Sequence, residues 1–373
     1  MENLTVEPVE LDLDPFNDEF LSDPYTHHHT LREAGPVVWL PAIGAFAMAR
    51  YAEVQASLKD WQTFVSSRGV GLSDFSKEKP WRAPSLLLET DPPVHDRTRG
   101  LMNPIVSLVR LKELRPLWAA EAEKLIDDLV SKGRFDAVTD LAEVFPMRIF
   151  PPTIGLPVEG RENLLVYASM AFNAFGPKNA LFEQSHAAAA GAIEWVAKAC
   201  SREALTPGGW GSAVYDAADR GVCSEDEAER LVRSFLTAGV DTTVNGIGNM
   251  LAAFVQFPEE WEKIRKDPNL IKRAFEESLR WDSTVQTFFR TTARDVTVAG
   301  VRIPEGAKVL LFLAAANRDP RRWPDAEKFD VNRVASGHVG FGFGIHQCLG
   351  QMVARLEAEV ILEALLKRVK SFR

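Results

Sequence analysis

Apolar residues recur every three or four positions through most of the chain, the spacing of helices that bury one face. The pattern predicts helices over Leu111–Ser131, Ser224–Gln256, Pro258–Arg265, Ile271–Trp281 and Leu349–Lys370. The Ser224–Gln256 helix carries the clearest stripe, through Leu231, Phe235, Val244, Ile247, Leu251 and Phe254. Ser224 and Glu227 have the spacing of a capping box that opens it, and Pro258 closes it. Strand-like runs are few: Pro36–Leu40, Ala45–Met48, Val296–Val298 and Lys308–Phe312. A mainly α fold with a small β portion is expected. No linker, repeat or low-complexity run divides the 373 residues, so one domain is expected across 1–373.

One place breaks the helical stripe. Ala238-Gly239-Val240-Asp241-Thr242-Thr243 puts a glycine and two hydroxyl residues in the middle of a helix, against their propensity. Thr242 can bond a carbonyl one turn back and loosen the helix, opening a groove; the plainer reading is a bend.

A second irregular stretch, Gly340-Phe341-Gly342-Phe343-Gly344-Ile345-His346-Gln347-Cys348-Leu349-Gly350, presents one cysteine on a glycine-rich turn that runs into a helix. Met352, Leu356 and Val360 give that helix its apolar spacing. Backbone N–H groups and aligned dipoles at its start favour a thiolate, a strong ligand for iron. A cysteine alone is most often a buried structural residue. A dinucleotide loop would need a third glycine where Gln347 stands, and an iron–sulfur cluster would need more cysteines than the scattered Cys200, Cys223 and Cys348. One thiolate suits haem.

Composition narrows the setting. A 46% hydrophobic content is ordinary for a globular enzyme, three cysteines give no disulfide framework, and a net charge of −9 argues against nucleic acid. The opening Met1–Glu7 lacks the apolar run of a signal peptide or membrane anchor, so a soluble cytoplasmic protein is expected. His27-His28-His29 would point in different directions on a helix, and a surface position is expected for them.

The cysteine loop resembles that of the cytochrome P-450 monooxygenases, Phe-x-x-Gly-x-[His/Arg]-x-Cys-x-Gly, through Phe341, Gly344, His346, Cys348 and Gly350. Glu277-Ser278-Leu279-Arg280 resembles the family's Glu-x-x-Arg. Asn317–Trp323 and Phe329–Arg333 resemble the segment before the loop, which implies a structural Glu277–Arg280–Arg333 network. The resemblance implies a single-domain fold with haem b between the long central helix and the loop, ligated by Cys348. It further implies propionate contacts from His95, Arg99, Arg290 and His346, and an acid–alcohol pair, Asp241 and Thr242, that delivers protons for dioxygen cleavage. No flavin or nicotinamide motif is visible, so a ferredoxin and its reductase are implied as electron donors. Family members usually continue beyond the final helix with a β-rich segment that lines part of the pocket, whereas this sequence ends at Arg373.

Arg233 and Ser234 lie about one and a half turns before Gly239, which at roughly 1.5 Å per residue places Arg233 about 9 Å along the axis. That span matches a benzoate with a small para group, and an arginine there asks for an anion. Ser66–Phe75, Trp81–Ser85, Phe172–Pro177 and Val285–Phe289 resemble a bacterial subgroup that oxidises para-substituted benzoates. By that resemblance Arg82, Ser85, Arg233 and Ser234 hold the carboxylate, and Phe172, Phe175, Val285 and Phe288 sandwich the ring. Thr237 and Ala238 complete the substrate set. O-demethylation of 4-methoxybenzoate to 4-hydroxybenzoate and formaldehyde is the expected reaction. The alternatives are oxidation of another small aromatic or aliphatic acid, a peroxide-driven haem-thiolate enzyme, and a non-catalytic haem sensor.

Overall fold

The computed structural model describes residues 6–373, so Met1–Thr5 of the N-terminal stretch lie outside the described residues. Helices dominate, as the periodicity predicts. Their shared core is built on Leu108–Ser131, Val144–Ile154, Glu225–Ala238, Asp241–Gln256, Ile271–Trp281 and Gln351–Leu366, around buried Trp118, Phe145, Phe254 and Phe329. No helix among the described residues is long and apolar enough to cross a membrane.

Among the described residues, eight short strands form the β portion: β1 (Val9–Glu10), β2 (Val38–Leu40), β3 (Ala45–Met48), β4 (Phe64–Val65), β5 (Thr287–Thr292), β6 (Val296–Val298), β7 (Val301–Ile303) and β8 (Lys308–Phe312). Six of them make one sheet in the order β1-β2-β3-β8-β5-β4, while β6 and β7 pair by themselves. Every residue of β3 and β8 is buried, which explains why both read as continuous apolar runs rather than alternations. β5, which sequence reading missed, lies antiparallel to β8 with Phe288 opposite Leu311 and Thr291 opposite Lys308. Its polar Arg290, Thr291 and Thr292 are buried, so it lacks the apolar signature of a central strand.

Several boundaries differ from expectation. The predicted Ser224–Gln256 helix is two helices, Glu225–Ala238 and Asp241–Gln256. The capping box is present: the Glu227 amide donates to Ser224 Oγ at 3.1 Å and the Ser224 amide to Glu227 Oε2 at 3.0 Å. At the break, Thr242 Oγ1 donates to the Ala238 carbonyl at 2.6 Å, the backbone-directed bond anticipated from its position. Gly239 is sterically required, because a Cβ there would lie 2.2 Å from the Phe150 ring. The final helix is Gln351–Leu366, shorter than Leu349–Lys370, and its buried stripe runs through Val353, Leu356, Val360 and Ile361; Met352 is exposed. The His27–His29 triplet is not all surface. His28 packs edge-on against Tyr25 and Phe312, and burial holds its imidazole down to about pKa 3, hence neutral.

The Glu277–Arg280–Arg333 network forms, with Glu277 and Arg280 fully buried and Arg333 at its partly exposed margin. Arg280 makes a two-pronged pair with Glu277 at 2.7 and 2.8 Å and reaches the carbonyls of Asn317, Ala326 and Lys328. Arg333 Nε and the Asp330 amide also donate to Glu277 Oε1, each at 3.0 Å. Asn317 then accepts the Val339 amide on its side-chain oxygen at 2.7 Å, so the network ends one residue before the cysteine loop. Glu277→Ala would leave Arg280 buried without its counter-ion, a class of loss costing about 3–5 kcal/mol. A lower urea midpoint at unchanged slope is expected, and a midpoint within error of the parent would contradict the structural role.

Candidate active site

The cysteine loop is held in place by close backbone approach. Gly344, at φ +71°, packs where a Cβ would lie 2.6 Å from the Leu58 carbonyl, and Gly340 sits where one would meet the Leu279 carbonyl at 3.0 Å. The Cys348 amide donates to the Phe341 carbonyl at 2.8 Å and folds the loop back on itself. Cys348 is half-exposed, with its open side on an internal cavity. Burial pushes its thiol up, while the backbone N–H groups of Gly350 and Gln351 and the charges of Arg99 and Arg355 pull the other way. The groups that favour a thiolate are in place.

Ala238, Gly239, Thr242 and Thr243 line the same cavity, so the break in the central helix and the cysteine loop border one space. Asp241 does not line the cavity. It begins the second half of the helix, where burial raises its carboxyl above the usual range against a bond from Asn245. A raised carboxyl next to a cavity-lining hydroxyl is a suitable source of protons.

One edge of the cavity collects buried donors that lack acceptors. Arg290 is almost fully buried, donates to its neighbour's carbonyl, and has no carboxylate within ion-pair distance among the described residues. Burial pushes its guanidinium down to about 10. His95 and His346 stack edge-on with ring centres 4.5 Å apart; the Nε2 of each is buried without a hydrogen bond, that of His346 lying 3.8 Å from Asp91 Oδ1, and burial lowers the His346 imidazole against the pull of Asp91. His346 Nδ1 lies 3.1 Å from the Leu87 carbonyl. Arg99, on the same Val94–Ile105 helix as His95, lines the cavity nearer Cys348. The buried Arg290 guanidinium and two imidazole nitrogens without hydrogen-bond partners fit a large ligand that brings its own carboxylates.

All ten residues expected to contact substrate, Arg82, Ser85, Phe172, Phe175, Arg233, Ser234, Thr237, Ala238, Val285 and Phe288, border this same cavity. The Phe172 and Phe175 rings meet at 5.7 Å and 90°, and Phe175 meets Phe288 at 5.7 Å. Ser85 Oγ accepts from the amides of Leu87 and Leu88, which leaves its own proton free to donate. Ser234 instead spends its proton on the Arg230 carbonyl, and Thr237 spends its on that of Arg233. Arg82 does not face water: its side chain is 10% exposed and pairs with Glu89 at 3.0 Å.

Two residues here escaped the sequence reading. Buried Glu89 holds both Arg82 Nη1 and the Ser85 amide, and so organises the pair. Arg230, one turn before Arg233, also lines the cavity. Arg230 reaches the Pro84 carbonyl at 2.7 Å and Arg233 reaches that of Ala83 at 3.2 Å, so the helix staples the Trp81–Ser85 segment. The i, i+3 spacing of the two arginines was the available signal.

Residues 213–371 match the Cytochrome P450 family. A Rhodopseudomonas palustris protein, Cytochrome p450 CYP199A2, is 53% identical over 96% of this chain and 87% of its own length. The chain belongs to the cytochrome P450 family. Vitamin D(3) 25-hydroxylase of Pseudonocardia autotrophica, a second P450 relative, is 33% identical over 94% of this chain and 87% of its own length. Among solved P450 structures, cytochrome P450 CREJ in complex with (4-ethylphenyl) dihydrogen phosphate superposes with a TM-score of 0.82. It shares 26% identity, over 98% of this chain and 92% of that one. P450BioI bound to an acyl carrier protein gives 0.82 at 28% identity, over 95% and 93%.

P450 enzymes hold haem iron through a cysteine thiolate and act as monooxygenases fed with electrons by redox partners. Cys348 is the cysteine positioned for this: of the other two, Cys200 is buried in the helical core and Cys223 also lies outside the cavity. Cys348→Ser is expected to abolish the thiolate band in the carbon monoxide difference spectrum of the reduced protein. Retention of that band would contradict the assignment.

Proposed function

We propose that this P450 oxidises para-substituted benzoates, with O-demethylation of 4-methoxybenzoate to 4-hydroxybenzoate and formaldehyde as its leading reaction. The observation that carries the reading is the cavity's polarity. One cavity gathers Arg82, Arg230 and Arg233, clustered on the Trp81–Ser85 segment with the free Ser85 hydroxyl proton, the rings of Phe172, Phe175 and Phe288 with Val285, and Cys348. An anion fixed at the arginine end by charge-assisted bonds orients a rigid aryl ring between these walls, and the para group points toward the thiolate end. Edge-to-face rings favour an aryl over an aliphatic acid. The ligand named with the CREJ structure, (4-ethylphenyl) dihydrogen phosphate, is likewise a para-substituted ring with an anionic head.

Haem bound through Cys348 would supply dioxygen activation, drawing two electrons that we assign to a ferredoxin and its reductase. Overall, the methoxy group, dioxygen, two electrons and two protons would give the hemiacetal and water, and the hemiacetal would break down to 4-hydroxybenzoate and formaldehyde. His95, His346, Arg290 and Arg99 would hold the haem carboxylates at the edge of the cavity. Thr242 stands at the helix break facing Cys348, and Asp241 next to it exchanges protons with solvent and passes them through the Thr242 hydroxyl. The side chains therefore divide the work into anchoring, orientation and proton delivery.

Titration of the ferric, haem-loaded protein with 4-methoxybenzoate is expected to give a high-spin shift, with 3-methoxybenzoate and 4-methoxybenzamide much weaker. Equal responses to acid and amide would remove the carboxylate from the account. Arg233→Ala deletes a charged donor of the kind that contributes about 1.5–3 kcal/mol, so binding about 10- to 100-fold weaker is expected with the thiolate spectrum intact. Asp241→Asn is expected to slow product formation by about 100-fold while leaving the spin shift unchanged; a parallel loss of binding would assign it to substrate instead.

A further inference from the structure

Lys308 opens β8 with its side chain buried, yet no carboxylate lies within ion-pair distance of it among the described residues. Its ammonium donates instead to three backbone carbonyls of one loop: Arg68 at 3.2 Å, Gly69 at 3.1 Å and Gly71 at 2.9 Å. That loop contributes no side chain to the cavity. It is pressed against a residue that does. The Leu72 amide donates to the Phe175 carbonyl at 2.8 Å, and Gly71 comes so close that a Cβ would sit 2.7 Å from Phe175 Cα. From the other side, the Phe289 amide donates to the Val70 carbonyl at 2.9 Å, which ties the same loop to β5 beside Phe288.

We infer that Lys308 is a positioning residue for the aromatic wall, gathering the carbonyls of residues 68–71 so that the loop fixes the backbone of Phe175 and thereby its ring against Phe172 and Phe288. An ammonium is suited to this because its three N–H groups meet three converging carbonyls. A guanidinium keeps the charge but is planar and cannot present the same three donors. A neutral amine has two.

The last point makes the device sensitive to pH. Burial, reinforced by Arg68 on the loop and Arg290 on β5, lowers the Lys308 ammonium to about 8, while Asp74 and Glu78 oppose the shift. Arg68 is itself paired with Asp74. Above that pH one carbonyl loses its donor. The unfolded chain keeps its lysine protonated to about 10.4, so between these values the unfolded state binds more protons and Lys308 makes the fold more stable as pH rises. Positioning and stability therefore move in opposite directions, which a merely structural lysine would not produce.

The inference rests on the benzoate reading for its ligand. The test is 4-methoxybenzoate affinity of the haem-loaded protein from about pH 7 to 9.5, for the parent, Lys308→Arg and Lys308→Met, with the thermal midpoint recorded alongside. The parent is expected to lose about 3- to 10-fold in affinity through pH 8 without losing thermal stability. Both variants should bind about tenfold more weakly at pH 7 and show no inflection. A flat parent profile, or Lys308→Met binding as tightly as the parent, would overturn the inference. If Lys308→Met does not fold, the parent profile decides. If the parent binds no benzoate, the substrate reading falls, and amide exchange corrected for its intrinsic pH dependence decides on Lys308. Protection at residues 69–72 and 172–176 should drop together above pH 8; unchanged protection there would refute it.

Discussion

A buried guanidinium with no carboxylate within ion-pair distance is a costly thing for a fold to carry, and Arg290 is one among the described residues. It lines the cavity with His346, and the Nε2 atoms of His346 and the adjoining His95 are also buried without a hydrogen bond. Groups of this kind are accommodated when a ligand supplies the missing acceptors, and the thiolate-ligated haem of the family carries carboxylates of its own. The opposite end repeats the pattern more gently. Arg82 is balanced by Glu89 and Arg230 by Asp226, while Arg233 has no carboxylate within ion-pair distance among the described residues and reaches only the Ala83 carbonyl. On the proposed reading, these two groups of donors take different anions: Arg290 and the imidazoles those of the cofactor, and the arginine cluster that of the substrate.

The remaining architecture serves to keep the two ends a fixed distance apart. Phe150 packs where a side chain at Gly239 would be, the helix opens there, and Thr242 turns its hydroxyl to the Ala238 carbonyl. The opening faces Cys348, whose loop is anchored through Asn317 to the Glu277–Arg280–Arg333 network. A local departure from helix propensity on one side and an expensive buried ion network on the other thus meet across one cavity. Each is paid in stability and recovered as geometry.

Much of this was legible in the sequence because it resides in short-range spacing. The loop around Cys348, the Glu277 and Arg280 pair, the Ile271–Trp281 helix, the capping box at Ser224 and the β8 run all follow from neighbours within a few residues. What was not legible depends on distant partners. The Ser224–Gln256 pattern is continuous in sequence, and only the Phe150 ring, about ninety residues away, shows why it splits. β5 is buried by sheet neighbours rather than by its own apolarity, and His28 is buried by Phe312. Arg230 reaches a carbonyl 146 positions earlier, and Lys308 reaches carbonyls about 240 positions away, contacts that periodicity cannot express.

The central claim is that the two cationic ends of one cavity receive two different sets of anions. An experimental structure of the haem-loaded protein with 4-methoxybenzoate tests it most directly. The account predicts the benzoate carboxylate within hydrogen-bond reach of Arg82, Ser85 or Arg233, the methoxy group toward the Cys348 side, and the haem carboxylates against His95, His346 and Arg290. A benzoate bound in the reverse sense, or haem carboxylates held elsewhere, would contradict it.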